Sequence, residues 1–232
     1  MQTHSPIIDV IIPAFNEASA IGNVIRDIDK KLVRDIVVVD NNSSDNTAAR
    51  AKECGATVLH QKLKGYGAAC LKGMEFIKTK TLQPNIVVFI DGDYSDFPSE
   101  MQSLVQPIIT NDIDFVIGSR AIGNRQRGAM LPQQVFGNWL ATRLLHLFYG
   151  VRYTDLGPFR AIKWNKLLQL EMVDQNFGWT VEMQLKAAKQ KLKFVEVPVT
   201  YRKRIGVSKV SGTMKGTIMA GYKIITTIFK YL

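Results

Sequence analysis

Cysteine is scarce in this sequence, whose 232 residues contain only Cys54 and Cys70. Both lie in segments of helical pattern, and no cysteine or histidine stands near them at the spacing of a metal site. Two such residues give no disulfide framework. We therefore expect reduced core thiols in a cytoplasmic protein and no redox chemistry.

Long apolar runs are missing as well. No run reaches 18 apolar residues, the length that a transmembrane helix requires. Residues 1–5 lack the basic and then apolar pattern of a secretory leader. We expect a cytoplasmic chain whose contact with a membrane would be peripheral, on the inner face.

Acidic residues are outnumbered, with 20 Asp and Glu against 30 Lys and Arg and a net charge of +10. From residue 193 to residue 232 there are eight basic residues and one acid, Glu196. An anionic partner is expected at this end of the chain, either a phosphorylated substrate, an anionic membrane surface or a nucleic acid. A solvated basic face is the alternative.

Strand and helix patterns alternate along the chain. Short β-branched apolar runs at residues 7–12, 35–39, 86–90 and 113–117 predict buried strands, and a further strand is predicted at residues 194–199. Ile21, Val24, Ile25 and Ile28 have the spacing of a helix packed on a sheet. Further helices are predicted at residues 47–54, 67–79, 99–109, 134–149, 164–170 and 180–190. This alternation predicts an α/β fold with a mostly parallel sheet and helices on both faces.

The domain organisation is expected to be simple, with one domain at residues 1–210 and a C-terminal helix at residues 211–232. On that helix Met214, Ile218, Tyr222, Ile225, Phe229 and Leu232 form one stripe, beside Lys215, Lys223 and Lys230. The helix either lies in a membrane interface, with its lysines toward anionic headgroups, or docks on the core or on a partner subunit. Ile224 and Tyr231 lie on the far side, which weakens the first alternative.

Polar residues follow each predicted strand, at residues 13–17, 40–45, 91–93 and 118–120. Because ligands of open α/β sheets bind beyond the C-terminal ends of the strands, these loops should converge on one site. Asp91-Gly92-Asp93 is the most informative of them. Two carboxylates one residue apart can face one hard cation, Mg²⁺ or Mn²⁺, that would bridge diphosphate oxygens. By itself such a triplet is more often a structural turn, but its position after a buried strand favours the site.

Seven segments in order carry a resemblance to a known family: residues 12–17, 39–47, 64–68, 91–93, 118–120, 155–160 and 201–209. With them the sequence resembles the family 2 glycosyltransferases of the GT-A (Rossmann-like) fold. Within that family it resembles the dolichol-phosphate mannosyltransferase and polyprenyl-phosphate glycosyltransferase group. The resemblance covers nearly the whole chain.

The resemblance implies a nucleotide-sugar donor and assigns residues to it. Pro13, Asn16, Glu17 and Asp40 would hold the base and the ribose, while Gly65 and Gly67 would let the backbone approach the nucleotide or sugar. Asp91, Gly92 and Asp93 would reach the diphosphate, with the two aspartates as metal ligands. Helix capping by Asn16, a turn at residues 40–45 and a loop at Gly65 and Gly67 are structural alternatives.

A lipid-linked phosphate is the acceptor that the resemblance implies. The residues expected to bind its phosphate are Ser119, Arg120, Arg160, Arg202, Arg204 and Lys209. Because such a phosphate is already anionic, it would attack the anomeric carbon directly, with inversion. Asp155, Glu182 and Arg120 are the catalytic candidates, although a helix salt bridge explains Glu182 about as well.

The sequence departs from the family pattern at several positions. Asn41 stands where many relatives have a second acid, and residues 94–98 lack the glutamine or histidine that some members carry after the metal motif. Pro158 interrupts a simpler Gly-Phe-Arg. A C-terminal transmembrane pair, found in several polyprenyl-phosphate members, is missing.

The leading hypothesis is an enzyme, a hexosyltransferase. It would use a donor of the GDP-mannose or UDP-glucose type and a polyprenyl or dolichyl phosphate acceptor, in metal-assisted inverting displacement. A soluble or polysaccharide hydroxyl acceptor is the alternative and would need Asp155 or Glu182 as a base. A non-catalytic nucleotide-sugar-binding protein is a third hypothesis.

Nucleic-acid binding is disfavoured because the basic segment lacks interleaved aromatic residues. The oligomeric state stays open.

Overall fold

The computed structural model describes residues 5–206 and 214–231 of the chain. Its strands are β1 (Ile8–Ala14), β2 (Asp35–Asp40), β3 (Thr57–His60), β4 (Ile86–Phe89), β5 (Phe115–Ser119), β6 (Arg160–Lys163) and β7 (Phe194–Pro198). They form one seven-stranded sheet in the order β3-β2-β1-β4-β6-β5-β7. Only β6 runs antiparallel to its neighbours, β4 and β5. The predicted mostly parallel α/β sheet is confirmed.

The helices are α1 (Ile21–Asp27), α2 (Thr47–Glu53), α3 (Tyr66–Lys78), α4 (Met101–Asn111), α5 (Pro132–Tyr149), α6 (Trp164–Gln169), α7 (Trp179–Lys189) and α8 (Met214–Lys230). A 3-10 turn at Pro98–Glu100 precedes α4. Each predicted helix is present, with ends shifted by a few residues.

Two hydrophobic cores lie on opposite faces of the sheet, as the alternation of strand side chains requires. Ile11 and Phe89 point into one core, with α3, α5 and α7. Ile12 and Val88 point into the other, with α1 and α4. Both faces of the central strands are therefore covered, which explains why these strands are apolar throughout.

Two strands, β3 and β6, were not predicted from the sequence. β3 is a four-residue edge strand that is half exposed, so it has little apolar signal. β6 begins with Arg160 and ends with Lys163, and charged residues at both ends of a short segment conceal a buried strand. The strand expected at residues 113–117 instead runs from Phe115 to Ser119.

The C-terminal helix α8 docks on the domain. Ile228 is fully buried against the core beside α5 and α7. The Tyr149 hydroxyl donates a 3.0 Å hydrogen bond to the Ile228 carbonyl, and the Tyr231 hydroxyl donates a 2.7 Å bond to the Glu182 carboxylate. Of the alternatives for this helix, docking on the core is the one that the structure shows. None of the helices in residues 5–206 and 214–231 is both long and apolar enough to cross a membrane.

Both cysteines are free thiols, as expected. Cys70 is buried in α3, and Cys54 is partly buried at the end of α2. Burial raises the pKa of the Cys70 thiol well above its usual value, so this thiol stays protonated.

The start of α3 lies directly against the loop at residues 174–178. The Ala68 amide donates a 2.9 Å hydrogen bond to the Gln175 carbonyl. A Cβ atom on Gly67 would lie 1.9 Å from the Asp174 carbonyl oxygen, and one on Gly65 would lie 2.0 Å from that of Gln175. Gly65 also has φ +151°, a backbone conformation that side chains disfavour. Both glycines are thus required by a backbone-to-backbone contact.

We expect Gly67→Ala to destabilise the protein by about 1–3 kcal/mol, because the added methyl group meets backbone atoms that cannot turn away. Gly137→Ala is the matched control, since a Cβ at this helical position meets nothing within 4 Å. It should be neutral or stabilise by about 0.5–1 kcal/mol. Denaturant unfolding of both variants measures the difference, and equal stabilities would contradict the close packing described above.

Candidate functional site

Two adjoining cavities lie where the C-terminal ends of the strands meet. The first has a volume of about 310 Å³ and is lined by residues that follow β1, β2 and β4. The second, of about 320 Å³, lies between α5, α8 and residues that follow β4 and β5. Their shared wall is formed by Tyr66, Asp91, Asp93, Phe177 and Arg204. The predicted convergence of the strand-end loops is therefore what the fold produces.

Asp91 and Asp93 stand at the junction of the two cavities. Asp93 is 5% exposed, and its Oδ1 accepts hydrogen bonds from the Ser95 amide and hydroxyl at 2.9 and 2.5 Å. Asp91 Oδ1 is buried and has no hydrogen-bond partner among the described residues. Burial, and next the charge of Asp93, raise the pKa of Asp91 to about 7. This excess of negative potential is an environment that favours a cation.

The carboxylate pair fits a divalent metal ion, with one oxygen left unpartnered in a buried position. In the described part of the chain no group of three or more Asp, Glu, His or Cys side chains is arranged to hold a metal. An ion bound by Asp91 and Asp93 would therefore complete its coordination with ligand phosphates and water, as Mg²⁺ and Mn²⁺ commonly do.

Arg204 partly compensates this negative charge. Its Nη1 lies 3.2 Å from Asp93 Oδ2, and its Nη2 donates a 2.7 Å hydrogen bond to Glu17 Oε1. The segment is anchored by the Ile205 amide, which donates to the Asp93 carbonyl at 3.0 Å. Arg204 thus lines both cavities and joins the loops after β1 and β4, and its binding of a phosphate stays a prediction.

The first cavity contains most of the residues assigned to the donor. Pro13, Glu17, Gly65, Asp91, Gly92 and Asp93 all line it. Lys64 lies over the Phe15 ring, 5.2 Å from its centroid, at the same cavity. A polar floor with an aromatic and a cationic side chain at the rim suits a nucleoside diphosphate.

Asn16 and Asp40 stand behind this lining. Asn16 has φ +54°, and its side-chain oxygen accepts a 2.8 Å hydrogen bond from the Ser44 amide, which ties the loops after β1 and β2 together. Asp40 is 5% exposed, with Oδ2 3.2 Å from His60 Nδ1 and Oδ1 without a partner among the described residues. A direct contact of either residue with a ligand stays a prediction.

Asn41, the departure from the family pattern, has a clear structural role. Its amide nitrogen donates to the carbonyls of Leu63 at 2.7 Å and Gln61 at 3.3 Å. Its oxygen accepts a 2.7 Å bond from the Gly65 amide. A carboxylate at this position could not donate to the two carbonyls. Asn41 therefore fixes the loop that carries Lys64 and Gly65 into the first cavity.

Arg120 and Asp155 form a buried pair at the wall of the second cavity. Arg120 Nε and Nη2 donate to the two Asp155 oxygens at 2.8 and 2.7 Å, and the Arg120 amide adds a 2.7 Å bond. Asp155 is 1% exposed. Its carboxylate is thus engaged three times, which suits the positioning of Arg120 better than the abstraction of a proton.

Three of the residues assigned to phosphate binding lie away from the cavities. Arg160 is fully buried and donates to the carbonyls of Leu156, Gly157 and Thr180. Ser119 is buried, with its hydroxyl 2.7 Å from that of Thr154. Arg202 stacks on Tyr94 and Phe97 and donates to the Tyr94 carbonyl at 2.7 Å. These contacts correct the expectation for all three, since their polar groups serve the protein backbone or a neighbouring side chain.

Glu182 is likewise no candidate base in this structure. It is fully buried near the start of α7, and its carboxylate accepts bonds from the amides of Val173 and Asp174. Lys186 lies 2.8 Å away, and the Tyr231 hydroxyl donates to it. The carboxylate is saturated, and the salt bridge left open as an alternative is present. Lys209 lies outside the described residues.

Sequence reasoning missed residues that reach the site through the fold. Tyr66, Asn176 and Phe177 line the first cavity, and only the contact between α3 and residues 174–178 brings the last two there. Asp96 is 1% exposed, and neither of its carboxylate oxygens has a partner among the described residues. Burial, and next the charge of Asp91, raise the pKa of Asp96 well above its usual value. In the sequence, only its position three residues after Asp93 indicated that Asp96 could lie near the site.

Several known proteins are similar to this chain in sequence, in fold or in both. The chain is 28% identical over 239 residues to UDP-N-acetylglucosamine–dolichyl-phosphate N-acetylglucosaminyltransferase of Methanococcus voltae, covering 94% of this chain and 93% of that protein. It is 29% identical over 204 residues to dolichyl-phosphate hexose transferase of Haloferax volcanii, covering 87% and 85%.

Among solved structures, glucosyl-3-phosphoglycerate synthase from Mycobacterium tuberculosis, in complex with Mn²⁺, UDP-glucose and phosphoglyceric acid, matches with a TM-score of 0.76. The match has 22% identity and covers 97% of this chain and 79% of that one. This likeness confirms the GT-A fold. Residues 9–175, from β1 to the loop beside Gly65 and Gly67, match the model of one family. The chain belongs to glycosyl transferase family 2 and is a glycosyltransferase.

Proposed function

We propose that this glycosyltransferase moves a sugar from a UDP-sugar to a lipid-linked phosphate of the polyprenyl or dolichyl type, with Mg²⁺ or Mn²⁺ at Asp91 and Asp93. The observation that carries the proposal is the pair of adjoining cavities whose shared wall contains both carboxylates. A donor in one cavity and an acceptor in the other would meet at that wall.

The first cavity supports the donor assignment. Glu17, held by Arg204, and the loop fixed by Asn41 provide hydrogen-bonding groups around a space suited to a nucleotide. A UDP-sugar is preferred over a GDP-sugar because two relatives support it by name. One is the Methanococcus voltae enzyme, and the other is the solved structure that holds UDP-glucose. The identity of the transferred sugar is not part of this proposal.

The second cavity supports a phosphate acceptor with an apolar tail. Its wall includes Arg120 and Arg204 near the carboxylates. Met130, Leu156, Pro158, Phe177 and Ile224 line it as well, so cationic groups and apolar side chains share one cavity. The Methanococcus voltae and Haloferax volcanii relatives are both named as dolichyl-phosphate transferases, which favours the same acceptor class.

In this mechanism the protein binds and positions, and it needs no general base. A bound divalent ion would neutralise charge that develops on the leaving diphosphate. Arg120, oriented by its two bonds to Asp155, would hold the acceptor phosphate so that an anionic oxygen faces the anomeric carbon. The buried state of Asp155 and Glu182 agrees with a reaction that requires no proton abstraction from the acceptor.

The acceptor can be tested by measuring nucleoside diphosphate release from UDP-glucose, UDP-galactose, UDP-N-acetylglucosamine and GDP-mannose with Mn²⁺ or Mg²⁺. Each donor is tested with a short polyprenyl phosphate, with 3-phosphoglycerate and with neither. We expect one UDP-sugar to be turned over, with stimulation by the polyprenyl phosphate and a glycosylated lipid phosphate visible by mass spectrometry.

Other outcomes of this panel separate the alternatives. Stimulation by 3-phosphoglycerate alone would move the acceptor to the soluble class. Metal-dependent donor hydrolysis at the same rate with and without either acceptor would contradict the acceptor assignment. Binding of a donor without release of the nucleoside diphosphate would favour the non-catalytic hypothesis.

Asp91→Asn tests the metal site through stability and pH. Because the pKa of Asp91 is raised from 3.8 to about 7, its carboxyl stabilises the metal-free fold at low pH, and this stability is lost as the pH rises through 7. The substitution should therefore raise the Tm of the metal-free protein at pH 8 by about 3–6 °C, the shift that ~1.5 kcal/mol gives in a domain of this size. The rise should be smaller at pH 5 and should vanish below pH 3.8, where the Asp91 carboxyl is protonated in the folded and the unfolded state.

Thermal unfolding with and without Mn²⁺ completes this test. Added Mn²⁺ should stabilise the wild-type protein but not the Asp91→Asn variant. Glu53→Gln removes an exposed carboxylate on α2 and should change neither the pH dependence nor the effect of Mn²⁺. A variant that still gains stability from Mn²⁺ would contradict the metal assignment.

Asn41→Asp tests the loop beside the donor cavity. A carboxylate would face the Leu63 and Gln61 carbonyls in place of two donated hydrogen bonds. We expect the KM for the donor to rise about tenfold, as the loss of ~1–2 kcal/mol predicts, while the KM for the acceptor changes little. Asn111→Asp, the same charge change on the exposed end of α4, is the control. Unchanged donor kinetics would show that this loop does not shape the donor cavity.

A further inference from the structure

Large apolar side chains are exposed on the outer sides of α5 and α8. They are Phe136, Trp139, Leu147 and Phe148 of α5 and Tyr222 and Phe229 of α8. Leu147 is 73% exposed, Tyr222 65% and Phe136 61%. We call this set the apolar face. A concentration of this kind on adjacent elements marks an interaction surface, whereas single exposed apolar residues are ordinary.

Exposed apolar residues lie along one side of α5 and meet those of α8 at one end of that helix. Phe136, Trp139 and Leu147 share one side of α5 by their spacing, opposite the buried Ala141 and Leu145. At the other end of the helix, the Phe148 and Phe229 rings meet edge to face, with centroids 5.5 Å apart. α5 and α8 are therefore joined through exposed aromatic residues at this end of α5.

The segments of the chain that carry the apolar face contain basic residues and no acids. Residues 121–154, which include α5, contain four arginines and no acidic residue, and residues 197–232, which include α8, contain no acid either. Arg125, Arg127, Arg143 and Arg152 are exposed. The Arg143 guanidinium lies 6.0 Å from the centroid of the Trp139 ring. Aromatic side chains beside arginines, with acids excluded, are complementary to an anionic lipid interface.

A second copy of the chain would be a poorer occupant of this surface. A two-fold contact would bring Arg143 and its neighbours toward their own equivalents, and like charges brought together oppose such a dimer. A bilayer with anionic headgroups instead neutralises the arginines and accepts the aromatic rings at the same time.

The second cavity connects this surface to the reaction site. Gln134 and Gly137 of α5 and Gly221 and Ile224 of α8 line it, and Asp91 and Asp93 lie at its far wall. The acceptor cavity thus lies in the gap between the same two helices that carry the apolar face. A lipid phosphate that stays in a membrane could reach the carboxylates through that gap.

We propose that the apolar face of α5 and α8 docks the enzyme on an anionic lipid bilayer, so that the acceptor cavity opens toward the membrane. The inference deepens the proposed function and rests on it for the identity of the acceptor. Docking itself needs no substrate, so it can be measured separately.

Vesicle sedimentation tests the proposal with the full-length chain and no substrates. The vesicles contain phosphatidylcholine alone or phosphatidylcholine with phosphatidylglycerol. We expect binding to the anionic vesicles that weakens at high ionic strength, and weaker binding to the neutral ones. The double variant Phe136→Asp and Leu147→Asp should lower the partition coefficient on anionic vesicles by about tenfold or more.

Matched controls separate docking from folding and from catalysis. Leu82→Glu places an acid at an apolar residue that is 63% exposed, distant in sequence from α5 and α8, and should bind vesicles like the wild type. The double variant should keep its Tm and its transfer to a short polyprenyl phosphate in detergent, because neither residue lines the two cavities described above. Its transfer to a long-chain acceptor in vesicles should fall.

Several results would overturn the proposal. Failure of the folded wild type to bind anionic vesicles would do so, as would a double variant that binds as well as the wild type. A wild type that forms dimers, dissociated by the double variant, without binding vesicles would assign the apolar face to a second copy. If vesicle binding behaves as expected but no acceptor is glycosylated, the proposed function fails and the docking surface stands.

Discussion

Negative charge concentrated at one edge of the sheet is the constraint around which the site is built. Asp91, Asp93, Asp96 and Asp155 lie at the strand ends with little exposure to water, and mutual repulsion and burial raise the pKa of Asp91 and of Asp96. The protein offsets part of this charge with Arg120 and Arg204. Asp155 is compensated completely and Asp93 in part, whereas Asp91 keeps an unpartnered oxygen. Of the two carboxylates that line both cavities, Asp91 is thus the one that has an oxygen without a partner among the described residues.

The sheet and the place of the site could be predicted from the sequence because both follow from local patterns. Apolar runs marked the central strands, and polar residues after those runs marked the edge where ligands bind. β3 and β6 were missed for the opposite reason, since a short exposed edge strand and a strand bounded by charges have little periodic signal. Asp91 and Asp93 were identified because their position in the sequence is also their position in space.

The roles of the basic and acidic residues could not be predicted in this way. Charge alone grouped Arg160, Arg202 and Arg204 together, but the fold buries the first, stacks the second on two aromatic rings and places only the third in the cavities. Glu182 was a candidate base by type, and its buried bonds to backbone amides give it a structural role. A charged side chain acts where the fold leaves its polar atoms available, and sequence spacing does not report that.

α8 connects the apolar face with the wall of the first cavity. Lys223 of α8 lies 3.0 Å from Asp174, whose other oxygen accepts a 2.7 Å bond from the Asn176 amide. Residues 174–178 in turn support Gly65 and Gly67, and Asn176 lines the donor cavity. The Tyr231 bond to Glu182 holds the start of the same loop from the other side. Since α8 also lines the second cavity, the position of this one helix affects the geometry of both cavities. Displacement of α8 would therefore loosen the wall of the first cavity together with that of the second.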